Sequence, residues 1–236
     1  MALDLTRMSM LEGAVQAAAP REVSVVCTDP RLSVPDGEVF YSEAVSMARA
    51  VPKRRTEFFA GRLAAHRAMA RRGFPASPVP MGRDRAPKWP TDLVGSISHC
   101  DAACVAVVGA RERYRSLAVD LEPDEPLPED ILPMVCLPRE REWLARLPQD
   151  QRGRMARVIF SAKECAYKLQ YPITRKVLDF SDVEVQLDPE AGRFEITVAP
   201  GINPFGDKTP LCGRFGQEVG VMFCMMYALQ DIGKMK

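Results

Sequence analysis

The 236-residue sequence lacks several features that would assign it to a class at once. No stretch approaches the roughly 18 consecutive apolar residues that a membrane-spanning helix needs, and no apolar run near the N-terminus is typical of a signal peptide. The formal net charge is only +1, so no overall basic field favours nucleic acid as a partner. These absences predict a globular, cytoplasmic protein without a membrane span.

Motifs that mark common kinds of site are also scarce. The chain has two histidines and seven cysteines, and no two cysteines have the C-x-x-C spacing of a zinc site. No glycine-rich phosphate loop of the Walker or dinucleotide-binding type is present. The odd number and scattered positions of the cysteines disfavour a disulfide framework and indicate a reducing compartment.

The most informative part of the sequence is the segment 160–168. It reads Phe-Ser-Ala-Lys-Glu-Cys-Ala-Tyr-Lys, which is typical of one continuous helix. Glu164 and Lys168 are four residues apart, so they lie on the same helix face. An acid and an ammonium group side by side suit chemistry on a phosphoryl group.

A second acidic element lies upstream, at residues 117–122. Asp120 and Glu122 alternate there with apolar residues, so on a strand both carboxylates point to one side. Three carboxylates and a lysine suit a hard divalent cation and a phosphate ligand, which predicts a magnesium-dependent phosphoryl-group transferase. An exposed strand face and a surface ion pair between Glu164 and Lys168 remain alternative interpretations, because such pairs are common and contribute little.

The order of predicted elements is helix, strands, helices, strands, which favours an α+β fold with antiparallel sheets. A weakly docked helix is expected within residues 1–20, and a longer one over 54–72 that ends at Gly73. Further helices are expected over 139–147 and 152–169, with Pro172 closing the second. The predicted strands cover residues 23–28, 95–99, 104–108, 116–122, 183–187, 194–198 and 219–227.

Five motifs, in order along residues 54–172, resemble the 4′-phosphopantetheinyl transferases of the larger, two-lobed type. They are Arg54-Arg55-Thr56-Glu57-Phe58 with Gly61-Arg62, Pro87-Lys88-Trp89-Pro90, Gly95-Ser96-Ile97-Ser98-His99, Val119-Asp120-Leu121-Glu122, and Phe160-Ser161-Ala162-Lys163-Glu164 with Lys168 and Tyr171-Pro172. The resemblance is greatest to the branch associated with siderophore synthesis. Val119 departs from the glycine that often precedes the metal-binding aspartate, and Cys165 from the serine or alanine that often follows Lys-Glu.

The resemblance implies a pseudo-two-fold pair of similar lobes, with the active site in the cleft between them. Residues 1–113 would form an N-terminal lobe that binds the 3′-phosphate of coenzyme A. Residues 114–236 would form a C-terminal lobe with the metal site and the catalytic helix. Because one chain would hold both lobes, the resemblance implies a monomer.

It also implies an activity, in which the phosphopantetheine arm of coenzyme A moves to a serine of an acyl or peptidyl carrier protein. Asp120, Glu122 and Glu164 would hold Mg²⁺, with Mn²⁺ as an alternative. Glu164, or a water that it orients, would accept the serine proton, and Lys168 would neutralise phosphate charge. The expected coenzyme A contacts come from Arg54, Arg62, Ser98, His99 and Lys168. Weaker candidates are Lys163, His66, Arg85, Lys88 and Tyr167.

Carrier proteins commonly present acidic helices, and basic residues between the two acidic motifs are candidates to meet them. These are Arg139, Arg141, Arg152, Arg154 and Arg157, with apolar neighbours Met134, Val135 and Leu137. Two rival functions stay open. One is a non-catalytic module that binds coenzyme A or a carrier protein, and the other is a metal-dependent phosphodiesterase or nuclease. The sequence does not identify the native carrier.

Overall fold

The computed structural model describes residues 3–206 and 211–230. Its fold is α+β with two antiparallel sheets, as the order of elements predicts. The helices are α1 (Leu5–Ala18), α2 (Tyr41–Ser46), α3 (Pro52–Arg71), α4 (Leu132–Val135), α5 (Pro138–Arg146) and α6 (Gln149–Thr174). No helix among the described residues is long and apolar enough to cross a membrane.

The eight strands among the described residues divide between the two sheets. The first sheet contains β1 (Ser24–Thr28), β2 (Leu93–His99) and β3 (Cys104–Ala110), in the order β1-β3-β2. The second has the order β4-β8-β7-β6-β5 and is built from β4 (Tyr114–Pro123), β5 (Val183–Asp188), β6 (Arg193–Val198), β7 (Leu211–Glu218) and β8 (Val221–Leu229). All neighbouring strands pair antiparallel.

Helix α1 is firmly docked, so the prediction of a weakly docked N-terminal helix was wrong. Asp4 caps the helix by accepting a hydrogen bond from the N–H of Arg7 at 2.9 Å. Leu11 and Val15 are fully buried, in a core shared by β1, β4 and β8. The apolar positions four residues apart give the alanine-rich segment one buried face, and that face ties the two sheets together.

Helix α3 covers one face of the first sheet and begins at Pro52, two residues before the predicted start. A proline is tolerated in the first helical turn because its missing N–H would have no helical partner there. Ala64, Ala65 and Ala68 pack against Val26 and Ala106 of the sheet. These small side chains let the helix backbone approach closely, which brings the start of α3 beside the end of β2.

Helix α6 packs on one face of the second sheet and continues past Pro172, although the sequence predicted that this proline would close it. Pro172 lies in the last turn, and the helix ends at Thr174. Arg175 then takes a left-handed φ of 59°, and its N–H donates to the carbonyl of Tyr171 at 2.9 Å. The helix therefore presents Ser161, Glu164, Lys168 and Tyr171 along a single rigid rod.

Strand β7 was not predicted, because its glycines lower the β-propensity of the segment. The structure shows what those glycines do. A Cβ at Gly213 would overlap the ring of Phe194, and a Cβ at Gly216 would lie 2.7 Å from the ring of Phe223. Because these glycines have no side chain, aromatic rings from the neighbouring strands pack directly against the backbone of β7.

Candidate active site

A cavity of about 310 Å³ lies where β2, β4, α3 and the proline-rich loop before β2 meet α6. Seven of the eight residues predicted for the site line it, which are Arg54, Arg62, Ser98, His99, Asp120, Glu122 and Lys168. Glu57, Phe58 and Arg85 also face the cavity. Basic side chains come mainly from α3 and the loop, and two of the three carboxylates come from β4.

Asp120 is the centre of the hydrogen bonds at this cavity. Its side chain is almost completely buried, with 3% of the residue exposed. One oxygen accepts from Ser98 Oγ at 2.9 Å and from Lys168 Nζ at 2.5 Å. The other oxygen accepts from Ser161 Oγ at 2.8 Å. Asp120 therefore joins β2, β4 and α6 through charge-assisted hydrogen bonds, which are stronger than neutral ones.

Lys168 is held as a cation at the edge of the cavity. It also donates to Ser98 Oγ at 3.1 Å and to the carbonyl of Val119 at 3.3 Å. Burial opposes its charge, but the adjacent Asp120 and the nearby Glu164 outweigh that effect, and the pKa of Lys168 is raised. An ammonium group fixed beside a carboxylate in a concave site can neutralise a bound phosphate.

Glu122 carries its negative charge at an electrostatic cost. Burial and the neighbouring charge of Asp120 raise the pKa of Glu122 to about 7. Arg157 offsets part of this effect, since its Nη1 lies 3.0 Å from Glu122 Oε2. The sequence suggested Arg157 as a carrier-docking residue. In the structure it is largely buried and also donates to the carbonyls of Glu125 and Pro126.

Glu164 lies apart from the two carboxylates of β4. It lines a neighbouring cavity of about 250 Å³ together with Lys163, Tyr167 and Phe180. Burial and the charge of Asp120 raise the pKa of Glu164, so the two acids still interact electrostatically. Within residues 3–206 and 211–230, no three His, Cys, Asp or Glu side chains are grouped closely enough to hold a metal ion.

The chemistry of these donors nevertheless suits a hard divalent cation. Asp120 and Glu122 both line the first cavity, where burial and the charge of Asp120 raise the pKa of Glu122. Carboxylate oxygens are the ligands that Mg²⁺ prefers, and it commonly takes only one or two of them from the protein. A cation between Asp120 and Glu122 would relieve the repulsion that their positions create.

The opposite wall of the cavity is basic. Arg54 Nη1 lies 3.0 Å from His99 Nε2, and Glu57 Oε2 lies 4.0 Å from each of these nitrogens. Burial lowers the pKa of His99, with the charge of Glu57 opposing that shift. A neutral ring nitrogen can therefore accept the hydrogen bond from Arg54. Glu57 and Arg54 thus orient the imidazole toward the cavity.

Arg62 is a buried guanidinium group at the base of this wall. Only 8% of the residue is exposed, and burial lowers the pKa of Arg62 to about 10. Its Nε donates to the carbonyl of Val79 at 2.9 Å, and its guanidinium carbon lies 3.7 Å from the centre of the Phe58 ring. No carboxylate forms an ion pair with Arg62 among the described residues. Such a group is suited to an anionic ligand.

Ser161 is a site residue that the sequence interpretation did not single out. It is fully buried and holds the oxygen of Asp120 that Lys168 does not contact. A signal was available, because Ser161 lies three residues before Glu164 and seven before Lys168 and so shares their helix face. Glu57 was likewise quoted in a motif without a role.

Two of the weaker candidates, Lys163 and His66, form buried contacts within the core instead of facing the first cavity. Lys163 is 2% exposed, and its Nζ donates to Glu140 Oε2 at 2.8 Å and to the carbonyls of Val135 and Phe180. His66 is buried against Glu43, with Nε2 and Oε1 2.9 Å apart. Neither residue lines the first cavity.

The proline-rich loop before β2 is fastened to the end of α6 by one carboxylate. Asp84 Oδ2 accepts from Tyr171 Oη at 3.1 Å and from Arg175 Nη1 at 2.9 Å. The next residue, Arg85, has a left-handed φ of 66° and lines the cavity, whereas Lys88 does not. This contact, which we call the Asp84 bridge, places Arg85 at the entrance.

Together, the fold and the cavity define an α+β protein in which basic side chains of the first sheet and α3 face carboxylates of β4. Comparison with known proteins identifies the same family that the sequence motifs resemble. Residues 42–109 match the family model of the 4′-phosphopantetheinyl transferase N-terminal domain, and residues 116–217 match that of the 4′-phosphopantetheinyl transferase superfamily. The chain belongs to this family, as the motifs predict.

Three curated relatives illustrate the similarity. The 4′-phosphopantetheinyl transferase Svp of Streptomyces mobaraensis is 45% identical over 157 residues, which is 66% of this chain and 64% of Svp. PptT of Mycobacterium tuberculosis (strain ATCC 25618 / H37Rv) is 35% identical over 76% of this chain and 82% of PptT. Enterobactin synthase component D of Escherichia coli O157:H7 is 36% identical over 118 residues, which is 49% of this chain and 54% of that protein. The chain thus spans slightly less than two thirds of Svp.

Proposed function

We propose that this protein transfers the 4′-phosphopantetheine arm of coenzyme A to a serine of an acyl or peptidyl carrier protein. The other product is adenosine 3′,5′-bisphosphate. The observation that carries the proposal is the single cavity in which Arg54, Arg62 and His99 face Asp120, Glu122 and Lys168. Phosphoryl transfer depends mainly on positioning and charge neutralisation, and this cavity provides groups for both.

The reaction forms a bond between the serine oxygen and the phosphorus of the pantetheine phosphate, and breaks the bond from that phosphorus to the bridging oxygen. Glu164, or a water that it orients, accepts the serine proton, which suits a carboxylate whose pKa is raised. Lys168 neutralises the charge that develops on the leaving phosphate. Asp120 keeps Lys168 charged and in place.

Mg²⁺ is the proposed metal, with Mn²⁺ as an alternative, and Asp120, Glu122 and Glu164 are its proposed ligands. When bound, such an ion would neutralise the negative charge of the diphosphate. Asp120 and Glu122 already share one cavity, whereas Glu164 lines the neighbouring one. Glu164 therefore completes the set only if its side chain turns toward the β4 carboxylates.

The proposed lobes are residues 1–113 and 114–236, of which 1–2, 207–210 and 231–236 lie outside the described residues. The first would supply Arg54, Arg62, Ser98 and His99, and the second the carboxylates and Lys168. We propose that the protein acts as a cytoplasmic monomer. Similarity to a protein named enterobactin synthase component D supports a role in siderophore synthesis.

Intact-protein mass spectrometry tests the activity directly. An apo carrier protein incubated with this chain, coenzyme A and Mg²⁺ should gain about 340 Da, the mass of one phosphopantetheine arm. The Glu164→Ala variant should add far less. Binding of coenzyme A without mass gain on several carriers would favour a binding module. Consumption of coenzyme A without carrier modification would favour a phosphodiesterase.

The proposed role of Arg62 predicts discrimination between coenzyme A and 3′-dephospho-coenzyme A. The wild-type chain should prefer coenzyme A by about tenfold or more, because a buried guanidinium binds phosphate through charge-assisted hydrogen bonds. Arg62→Gln should lose most of this preference, measured as a ratio of kcat/KM values. Arg67→Gln, an exposed position on the same helix, is the control. An unchanged ratio in the Arg62→Gln variant would show that Arg62 does not bind the 3′-phosphate of coenzyme A.

Ser161→Ala should lower kcat/KM by roughly tenfold, since it removes a hydrogen bond to the buried carboxylate of Asp120. The matched control is Ser96→Ala, because Ser96 is also buried but its hydroxyl makes only a long contact of 3.5 Å to the carbonyl of Val119. Steady-state transfer rates, with circular dichroism to check folding, would decide the point. Equal effects of the two variants would contradict a specific role for Ser161.

The carrier-docking hypothesis is narrowed by the contacts of the basic residues. Arg152 donates to the carbonyls of Ala145 and Leu147, and Arg154 lies 3.6 Å from Asp124. Val135 is buried, whereas Met134 is 66% exposed. We therefore propose Arg139, Arg141 and Met134 as the remaining docking candidates, since Arg139 lies 3.9 Å from Glu184 but its side chain is 83% exposed. Alanine at these positions should raise the KM for the carrier and leave the KM for coenzyme A unchanged.

A further inference from the structure

A second concave surface lies on the face of the five-stranded sheet turned away from α6. It has a volume of about 550 Å³ and shares no lining residue with the candidate active site. Among the residues that the structure describes, its lining includes three arginines, Arg115, Arg193 and Arg214, and no aspartate or glutamate. We call it the arginine depression. Its volume is within the range of about 300–1,000 Å³ that is usual for small-molecule sites.

Two of the arginines are placed in direct opposition. Arg193 on β6 is the register partner of Arg214 on β7. Like charges directly opposite each other destabilise a pair of strands. Across residues 3–206 and 211–230, neither arginine forms an ion pair. Asp188 on β5 is the other register partner of Arg193, but no ion pair joins the two among the described residues. An anion between the two guanidinium groups would relieve the repulsion between the arginines.

The third arginine is fixed at the other side of the depression. Arg115 Nη1 donates to the carbonyl of Pro204 at 3.2 Å, and its guanidinium carbon lies 5.1 Å from the centre of the Phe205 ring. These contacts hold the side chain over the sheet instead of letting it extend into solvent. A guanidinium group fixed in this way is already oriented for a planar or anionic ligand.

Aromatic and apolar groups lie between the arginines. Tyr227 on β8 is 44% exposed, and its ring edge packs against Tyr114 with centroids 6.2 Å apart and planes at 90°. Met225, on the same strand and face, is buried in the sheet and contributes to the lining. The depression therefore combines a ring on which a planar group can stack with cations on either side of it.

We infer that the arginine depression binds a nucleotide, a ligand that carries both a planar base and phosphate groups. Arg193 and Arg214 take the phosphates, because guanidinium groups bind phosphate oxygens through paired hydrogen bonds. Tyr227 takes the base by stacking. The inference is independent of the proposed transferase activity, since the two sites share no residue.

Isothermal titration calorimetry with the full chain tests this inference, with ATP as the probe. Because ATP could also enter the first cavity, an Arg62→Gln variant is compared with an Arg193→Gln/Arg214→Gln variant. ATP should bind the Arg62→Gln variant with unchanged affinity at this site. It should bind the double variant at least about tenfold more weakly there, because two charge-assisted contacts are lost. Adenosine and tripolyphosphate should each bind more weakly than ATP.

Three results would overturn the inference. They are loss of ATP binding only in the Arg62→Gln variant, equal binding of adenosine and ATP, and tighter binding of an acidic helical peptide than of ATP. The last result would make the surface a protein-docking site. Urea denaturation serves as the folding control. Without anions the double variant should be at least as stable as the wild type, since it removes a repulsion.

Discussion

Replacing Lys168 by glutamine is expected to lower kcat for transfer by about a hundred- to a thousandfold, the usual loss when one fixed group that stabilises developing charge is removed. Lys168 lines the cavity, and its ammonium group contacts both Asp120 and Ser98. Glutamine is one atom shorter than lysine and keeps some hydrogen bonding, but it removes the charge. The loss should therefore appear in kcat more than in the KM for coenzyme A.

The matched control for this experiment is Lys176→Gln. Lys176 is exposed just beyond the end of the same helix, and only its backbone takes part in hydrogen bonds. Its replacement should leave transfer within about twofold of the wild type, as is usual for surface substitutions. A Lys168→Gln variant that transfers as well as the control would show that Lys168 has no electrostatic role in the reaction.

Replacing Lys163 by methionine is expected to lower the free energy of unfolding by about 3–5 kcal/mol, the usual effect of breaking a buried ion pair. The loss arises because Glu140 would remain buried without its cationic partner. Glu140 also accepts from the N–H groups of Leu137 at 2.6 Å and Val185 at 2.7 Å, so it cannot turn to solvent without breaking those bonds. The pair thus joins α5, α6 and β5.

Urea denaturation measures this effect, and a second variant identifies its cause. Adding Glu140→Gln to Lys163→Met removes the unpaired charge but keeps an acceptor for the two N–H groups, so part of the lost stability should return. A Lys163→Met variant with normal stability and no transfer activity would assign Lys163 to the chemistry instead of to the core. The structure instead predicts that Lys163→Met loses stability, and that any loss of transfer activity follows from the loss of folded protein.

The parts of the fold that follow from local patterns could be predicted from the sequence. Alternation around Asp120 and Glu122 identified β4, and the spacing of Glu164 and Lys168 identified their common helix. The pairing of Lys168 with Asp120 could not be derived in this way, because the two residues are 48 positions apart. Local spacing shows which face of a helix or strand a side chain occupies, but not which residues of other elements pack against that face.

Local spacing also does not show which partners a residue meets in the folded chain, and this explains the expectations that the structure did not bear out. Arg157 lies in a charged segment that looks solvent-exposed, and Lys163 was a weaker candidate for the site. Only the tertiary structure supplies their buried partners, Glu122 and Glu140. Pro172 was expected to end α6, yet burial of Leu169 and Gln170 extends the helix beyond it. Tertiary packing outweighed local propensity at each of these positions.

The Asp84 bridge has a consequence for how the cavity responds to its medium. The side chain of Arg175 in that bridge is 62% exposed, whereas the side chain of Asp120 is 4% exposed in its contact with Lys168. Ions in solution screen exposed charges far more than buried ones. The cavity entrance and the cavity floor are thus held by contacts of different salt sensitivity. At high ionic strength we expect the loop that carries Arg85 to loosen first, so that access to the cavity changes before the contacts of Asp120 do.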